Sequence, residues 1–155
     1  MTIRILVDHR REIGLIQFSG VVRREEIGVI SRLYLDRDFY RFTDKELVQF
    51  TPDASLAGID VEDIGLLADS YVEAVRRRGD QQPILSAWVM SNQVRIEARM
   101  WWDFTRDHVQ MRSARFLVET IEAALSALGL PQDWAEDVRA GRGFRTFGDD
   151  TTISA

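Results

Sequence analysis

The run Ile84-Leu85-Ser86-Ala87-Trp88-Val89-Met90, introduced by Pro83, constrains the fold more than any other stretch of the chain. It is almost continuously apolar, so a strand made from it has no solvent-facing side and must be covered on both faces. Such a strand belongs inside a sheet with helices packed on it. The segments on either side supply both the neighbouring strands and the helices.

IRILVD (3–8) and IGLIQFSG (13–20) are β-branched and apolar around a charged turn, Asp8-His9-Arg10-Arg11-Glu12, and predict an opening hairpin. Past Gly20 the period changes. Ile27, Ile30 and Tyr34 share one helical stripe, and Glu25 and Glu26 sit in its first turn, where the helix dipole favours carboxylates. KELVQFT (45–51) predicts a short strand and PDASLAG a loop. Asp60 then precedes a helix in which Ile64, Leu67, Tyr71 and Val75 recur at helical spacing. Asp60 with Asp63 forms a capping box with the shorter carboxylate, and Arg76, Arg77, Arg78 and Gly79 supply a cationic last turn and a stop.

After the apolar run, Ser91 or Asn92 can cap a helix over 93–106, and HVQMRSA (108–114) alternates as a strand. Thr120 opens IEAALSALG, which Gly129 and Pro131 close. The expected order is ββα-βα-βα-βα. This describes an α/β domain with a mixed, mostly parallel sheet of about five strands, an antiparallel N-terminal hairpin, and helices packed on the sheet. From residue 131 the character changes: Trp134, Phe144 and Phe147 stand among glycine, aspartate and threonine, with no regular period after Val138. These aromatics predict that an extension, 131–155, docks on the domain formed by 1–130 or on a second subunit.

The 155 residues fit one domain, and 45% apolar with 29% charged residues is the balance of a soluble globular protein. The net charge of −5 argues against phosphate-backbone binding, so nucleic acid is not an expected partner. The absence of cysteine excludes disulfides, thiolate nucleophiles and Cys-ligated metals, and fits the cytoplasm, which is the expected location. MTIRILVDHRREIG meets charge after a few apolar residues, so neither a signal peptide nor integral membrane association is expected.

No constellation for catalysis is visible. His9 and His108 lie far apart in the expected order, and Asp36 with Asp38 offers a D-x-D spacing without the ordered ligand run of a calcium loop. G-x-S-x-G, Walker and G-x-G-x-x-G motifs are absent, and GRGF (141–144) is a glycine pair rather than a phosphate cradle. Arg76-Arg77-Arg78 could attract an anion, but its place at a helix C-terminus already accounts for it. The expectation is therefore no metal, no cofactor and no enzyme. An enzyme would have to bring Glu97, His108 or the Asp36 loop into one cleft.

FSGVVRREEI at the hairpin exit, LAGIDVEDIGLLA, AWVMSNQVRIEARMWWDF and RFLVETIEAALSALG together resemble the STAS group, most closely its bacterial SpoIIAA-like branch. The fold of that branch is also compared with CRAL-TRIO lipid-binding domains. The resemblance covers residues 1 to 130 and implies a βα superhelix. In STAS regulators of sigma-factor cascades, a serine in a D-S-S-G motif at the start of the second helix is phosphorylated and switches partner choice. Laid on this chain, the motif falls on Asp60, Val61, Glu62 and Asp63. The aspartate stays, the acceptor serine does not, and Glu62 stands about where the phosphoacceptor would be. Glu62 can be read as a mimic of the phosphorylated state or as an ordinary first-turn carboxylate.

The third helix is unusually broad in its apolar face. At about 100° per residue from Val94, Ala98, Trp101, Phe104, Met100 and Ile96 spread over an arc of about 200°. A surface helix covering one sheet needs roughly 100°. The excess predicts a second apolar contact with a neighbouring helix, the tail, a ligand or another subunit. Glu97 falls inside the arc and must be hydrogen-bonded, ion-paired or at the rim. Of the adjacent tryptophans, Trp101 projects onto the core face and Trp102 onto a flank with Arg95, Arg99 and Arg106, where a guanidinium can stack on the ring. A partner contact and a self-satisfied surface cluster both fit that flank.

Two functions follow. One is a non-catalytic STAS-like interaction or regulatory module, a homodimer without the serine switch, acting through protein contacts. The other is a carrier of a small apolar or lipid-like molecule in a pocket lined by Trp88, Met90, Met100 and Trp101.

Overall fold

Near-continuous apolar runs, buried on both faces, make β1 (Ile3–Asp8) and β2 (Ile13–Phe18), which pair antiparallel from Ile3 opposite Phe18 to Asp8 opposite Ile13. The Asp8 carboxylate holds the turn between them, accepting the backbone N–H groups of Arg10 at 3.0 Å and Arg11 at 3.1 Å. This computed structural model describes residues 2–37, 39, 43–79, 84–107 and 113–147.

From β2 the chain alternates helix and strand: α1 (Arg24–Arg37), β3 (Lys45–Phe50), α2 (Val61–Arg78), β4 (Ile84–Val89), α3 (Asn92–Asp107) and β5 (Ser113–Val118). Strands β2, β3, β4 and β5 lie side by side in chain order, all parallel. After β5 come α4 (Ile121–Ala127), a 3-10 turn at Gln132–Trp134, α5 (Ala135–Ala140) and β6 (Arg145–Thr146). Strand β6 pairs antiparallel with β1 and completes a six-stranded mixed sheet in the order β5-β4-β3-β2-β1-β6.

The apolar run that demanded cover on both faces is β4, flanked by β3 and β5. Ile84 and Trp88 point into a core shared with α1, α2 and α3, while Ala87 and Val89 point into a second core shared with α4 and α5. The polar exception, Ser86, is buried but satisfied: its hydroxyl lies 2.8 Å from Glu46 Oε1 and accepts Trp88 Nε1–H at 3.0 Å.

Both ends of α2 form as the sequence predicts. The Asp60 side chain accepts the N–H groups of Glu62 and Asp63, Asp63 returns the bond to the Asp60 backbone, and Gly79 ends the helix with a φ of 76°. Thr120 caps α4 through the N–H of Ala123. Gly14 permits a close approach that no other residue would: a Cβ there would lie 2.3 Å from Cζ of the buried Phe39 ring.

Two expectations are corrected. The last parallel strand is described as Ser113–Val118, running past the expected end at 114; residues 108–112 lie outside the described set. The alternation of HVQMRSA favoured the earlier window, whereas Phe116-Leu117-Val118 has no alternation because apolar side chains are wanted on both faces of this sheet. The tail is also more regular than its composition predicts, and it brings the strand count to six. Residues 132–140 form the 3-10 turn and α5, whose Ala135 and Val138 enter the second core. Phe147 donates its backbone N–H to Ile5 at 2.8 Å and buries its ring edge-on to Phe39, centroids 5.2 Å apart.

Candidate interaction surface

Helix α3 separates its two tryptophans as the projection predicts. Trp101 is buried and meets Phe18 edge-on at 5.3 Å and Phe50 at 6.3 Å, with Trp88 tilted against Phe50 at 5.8 Å. Trp88, Met90 and Trp101 are thus buried members of one core cluster on this face of the sheet. Met100, the fourth residue expected to line a carrier pocket, is partly exposed on the outer side of the helix, and Ile96, one turn before it, is 80% exposed.

Trp102 is half-buried, edge-on to Trp88 at 5.5 Å, and a guanidinium lies over its ring. The cation that the described side chains supply there is neither Arg95 nor Arg99. It is Arg115 of β5, with its Cζ 5.5 Å from the ring centroid. Arg95 instead reaches Glu119 at 3.7 Å, and Arg99 pairs with Asp103 one turn on at 3.5 Å. The side chain of Arg106 lies outside the described set. The projection of a single helix could not find Arg115, because it comes from the part of β5 that runs past the expected end at 114. A shallow hollow of about 240 Å³ lies beside this cluster, with Met90, Ala98, Trp102 and Leu117 among its walls.

Glu97 resolves as a tether. Its Oε2 accepts the backbone N–H of Leu56 at 2.6 Å and so fastens α3 to the loop that leads into α2. That loop and the β2–α1 connection lie side by side at the carboxyl ends of the parallel strands, joined by a bridge between Val21 and Ser55.

The positions matching the family's switch motif lie at this end of the sheet. Arg24, the first residue of α1, pairs with Asp60 and, at 3.1 Å, with Asp63. The Asp60 carboxyl sits below its usual range, held there first by the N–H of Asp63 and then by the Arg24 charge. Arg24 is correspondingly raised, by Asp60 first and Asp63 second. Glu62 is exposed, flanked by Val61 at 51% and Leu66 at 47% exposure. Sequence reasoning named Val61 and missed Leu66; its signal is an apolar residue four positions from Glu62, on the outer side of an otherwise amphipathic helix.

Of the remaining candidates only some lie among the described residues. His9 is exposed in the hairpin turn, while His108, Asp38 and the Asp36 side chain lie outside the described set. Arg76 and Arg77 are engaged by Glu73 at 2.7–3.0 Å, and Arg77 also bonds the Leu35 carbonyl at 2.8 Å. Those hydrogen bonds, from Arg76 first, lower Glu73 to about 2. Among the described residues no three His, Cys, Asp or Glu side chains gather as a metal site would require, and no helix is long and apolar enough to cross a membrane. No family model, curated protein or solved structure matches the chain.

Proposed function

We propose that the chain is a non-catalytic interaction module of the STAS-like kind, which presents the start of α2 to a protein partner in a permanently anionic state. The observation that carries this reading is the first turn of α2. Asp60 and Asp63 close a capping box and Arg24 locks both carboxylates, so Glu62 stands on a rigid base between exposed Val61 and Leu66. A fixed charge ringed by apolar side chains is suited to docking, since little order is lost when a partner binds it.

The order β2-β3-β4-β5 with α1, α2 and α3 on one face supports the SpoIIAA-like superhelix that the resemblance implies. Where that family places a phosphoacceptor serine, this chain carries a carboxylate, and no kinase is needed to charge it. Partner choice would then be constitutive and not switched.

The test is a photo-crosslinking amino acid at Leu66, in extract from the source organism. The expected result is one discrete protein adduct that disappears when Glu62→Lys is added. An adduct unchanged by Glu62→Lys, or the same adducts from a crosslinker placed on α5, overturns the reading.

A further inference from the structure

Among the described residues strand β5 ends the sheet with an open edge. Among the described residues its strand partner is β4 alone, from Ile84 opposite Ser113 to Val89 opposite Val118. Proteins usually blunt such an edge with proline, a bulge, several charges or a very short strand, as the two-residue β6 does on the other side. β5 is six residues, SARFLV, with Arg115 as its single charge. Apolar side chains reach the rim on both faces. Phe116, level with Ala87 on the α4 face, is 37% exposed, and Leu117, level with Trp88 on the α3 face, is 38% exposed.

We infer that β5 pairs antiparallel with β5 of a second copy, about a two-fold axis through Phe116 and normal to the sheet. The backbone parity sets which registers are open. The Val118 carbonyl accepts the Met90 N–H at 3.3 Å, so even-numbered residues of β5 turn their backbone groups towards β4. Ser113, Arg115 and Leu117 turn theirs outward. In an antiparallel pair outward residues must face outward residues, which allows axes on residues and none between them: Arg115 and Phe116 near the middle of the strand, Ala114 and Leu117 nearer its ends.

These registers are not equivalent. An axis at Arg115 sets two guanidinium side chains directly opposite each other, which like charge disfavours. An axis at Leu117 pairs only residues 116–118 of the strand, and one at Ala114 only residues 113–115. An axis at Phe116 pairs residues 114–118 and exchanges hydrogen bonds between Arg115 and the partner's Leu117 on both sides of the axis. It also brings the two Phe116 rings together at a close, non-hydrogen-bonded pair, where aromatic contacts are strongest. Arg115 then has the partner's Arg115 on one diagonal and the partner's Glu119 on the other, so the charges are balanced. Both faces of the sheet continue across the seam, α3 beside α3 and α4 beside α4. The match is of the strand to itself, as an isologous interface requires, and this singles out a second copy over a foreign strand.

The chain has no cysteine, so one introduced thiol is the only one present. In the full-length protein Phe116→Cys is expected to form a disulfide-linked dimer under mild oxidation, because Cα atoms about 4.5 Å apart lie within disulfide range. Arg115→Cys and Leu117→Cys should each stay unlinked alone and link to each other when mixed. The unsubstituted chain should sediment as a dimer. Leu117→Pro, which removes an outward N–H and spares the β4 ladder, should give a folded monomer by circular dichroism and sedimentation. An unsubstituted chain that sediments as a monomer at every concentration overturns the inference. So does linkage of Leu117→Cys or Arg115→Cys alone in preference to Phe116→Cys. The thiol readout stands even if the proline variant does not fold, and a negative result leaves the α2 docking surface untouched.

Discussion

The guanidinium of Arg115 lies over the ring of Trp102, 5.5 Å from its centroid, so β5 supplies that indole with a cation from outside its own helix. Its neighbour Trp101 turns the other way, into Phe18 and Phe50. Two consecutive tryptophans therefore do different work: one fills the core between sheet and helix, the other ties α3 to the edge strand.

That division predicts unequal costs. Trp101→Ala should lower the unfolding free energy by about 3–5 kcal/mol, the range for a fully buried aromatic. Trp102→Ala, half-buried, should cost about 1–3 kcal/mol, and Arg115→Gln about 0.5–1 kcal/mol, the size of an exposed cation–π contact. Trp102→Ala and Arg115→Gln should be less than additive, since each removes the same contact. Urea unfolding of the unsubstituted chain, the three single variants and the Trp102→Ala/Arg115→Gln double variant decides it; equal costs for the two tryptophans would contradict the assignment.

Glu97 makes a local and separable contribution. Its carboxylate accepts the Leu56 N–H at 2.6 Å, so Glu97→Ala should speed exchange of that amide by about tenfold, the equivalent of about 1.4 kcal/mol for a charge-assisted bond at a wet site. Glu97→Gln, which keeps an acceptor oxygen, should lie between the two. Exchange measured by NMR at Leu56, with Ile64 in α2 as an internal control, distinguishes a tether from general loosening.

How much of this was legible in the sequence follows from the range of each interaction. The α2 caps were, because Asp60, Asp63 and Gly79 act within a few residues of one another. So was the doubly covered β4, because burial on both faces leaves a continuous apolar run. Arg115 over Trp102 and Glu97 on Leu56 were not: each joins elements whose relative placement is set by the sheet order. The polar demand of Glu97 was visible, but its partner was not. The regular structure of the tail was missed because α5 is a single short helix whose cover, Ala135 and Val138, is too brief to show a period.

Acid should weaken the fold in a defined window. Asp60 is held low first by the Asp63 N–H, Glu122 by a hydrogen bond from Arg139, Asp137 by one from Arg142, and Glu73, at about 2, by Arg76 and Arg77. A carboxylate whose folded pKa lies below its unfolded value stabilises the fold above the unfolded value, and that stability is lost as pH falls through the folded one. With ordinary values of 3.8 for Asp and 4.5 for Glu, the urea midpoint should be level from neutral pH down to about 5 and then fall towards pH 2. Glu73→Gln should flatten the lower part of that slope. A midpoint unchanged from pH 5 to pH 2 would show that these pairs contribute nothing.

The C-terminal segment is expected to be part of the fold and not an appendage. Phe147 closes edge-on over Phe39, and Phe39 lies against Gly14 so tightly that a Cβ there would sit 2.3 Å from the ring. The hairpin, the α1–β3 connection and the tail thus meet in one stack. Phe147→Ala should cost about 3–5 kcal/mol as a buried aromatic, and Gly14→Ala about 1–3 kcal/mol by overpacking. On the opposite face Arg11 bonds Asp8 at 2.9 Å, pairs with Asp137 and lies over Trp134 at 5.4 Å, so the tail is fastened on both sides of the sheet. A chain ending at Leu130 loses the contacts made by Phe147, Asp137 and Trp134 together with Ala135 and Val138. It should bind a hydrophobic dye and unfold over a broad range, as loosely packed states do. A sharp transition at the midpoint of the full chain would mean that residues 1–130 are complete without the tail.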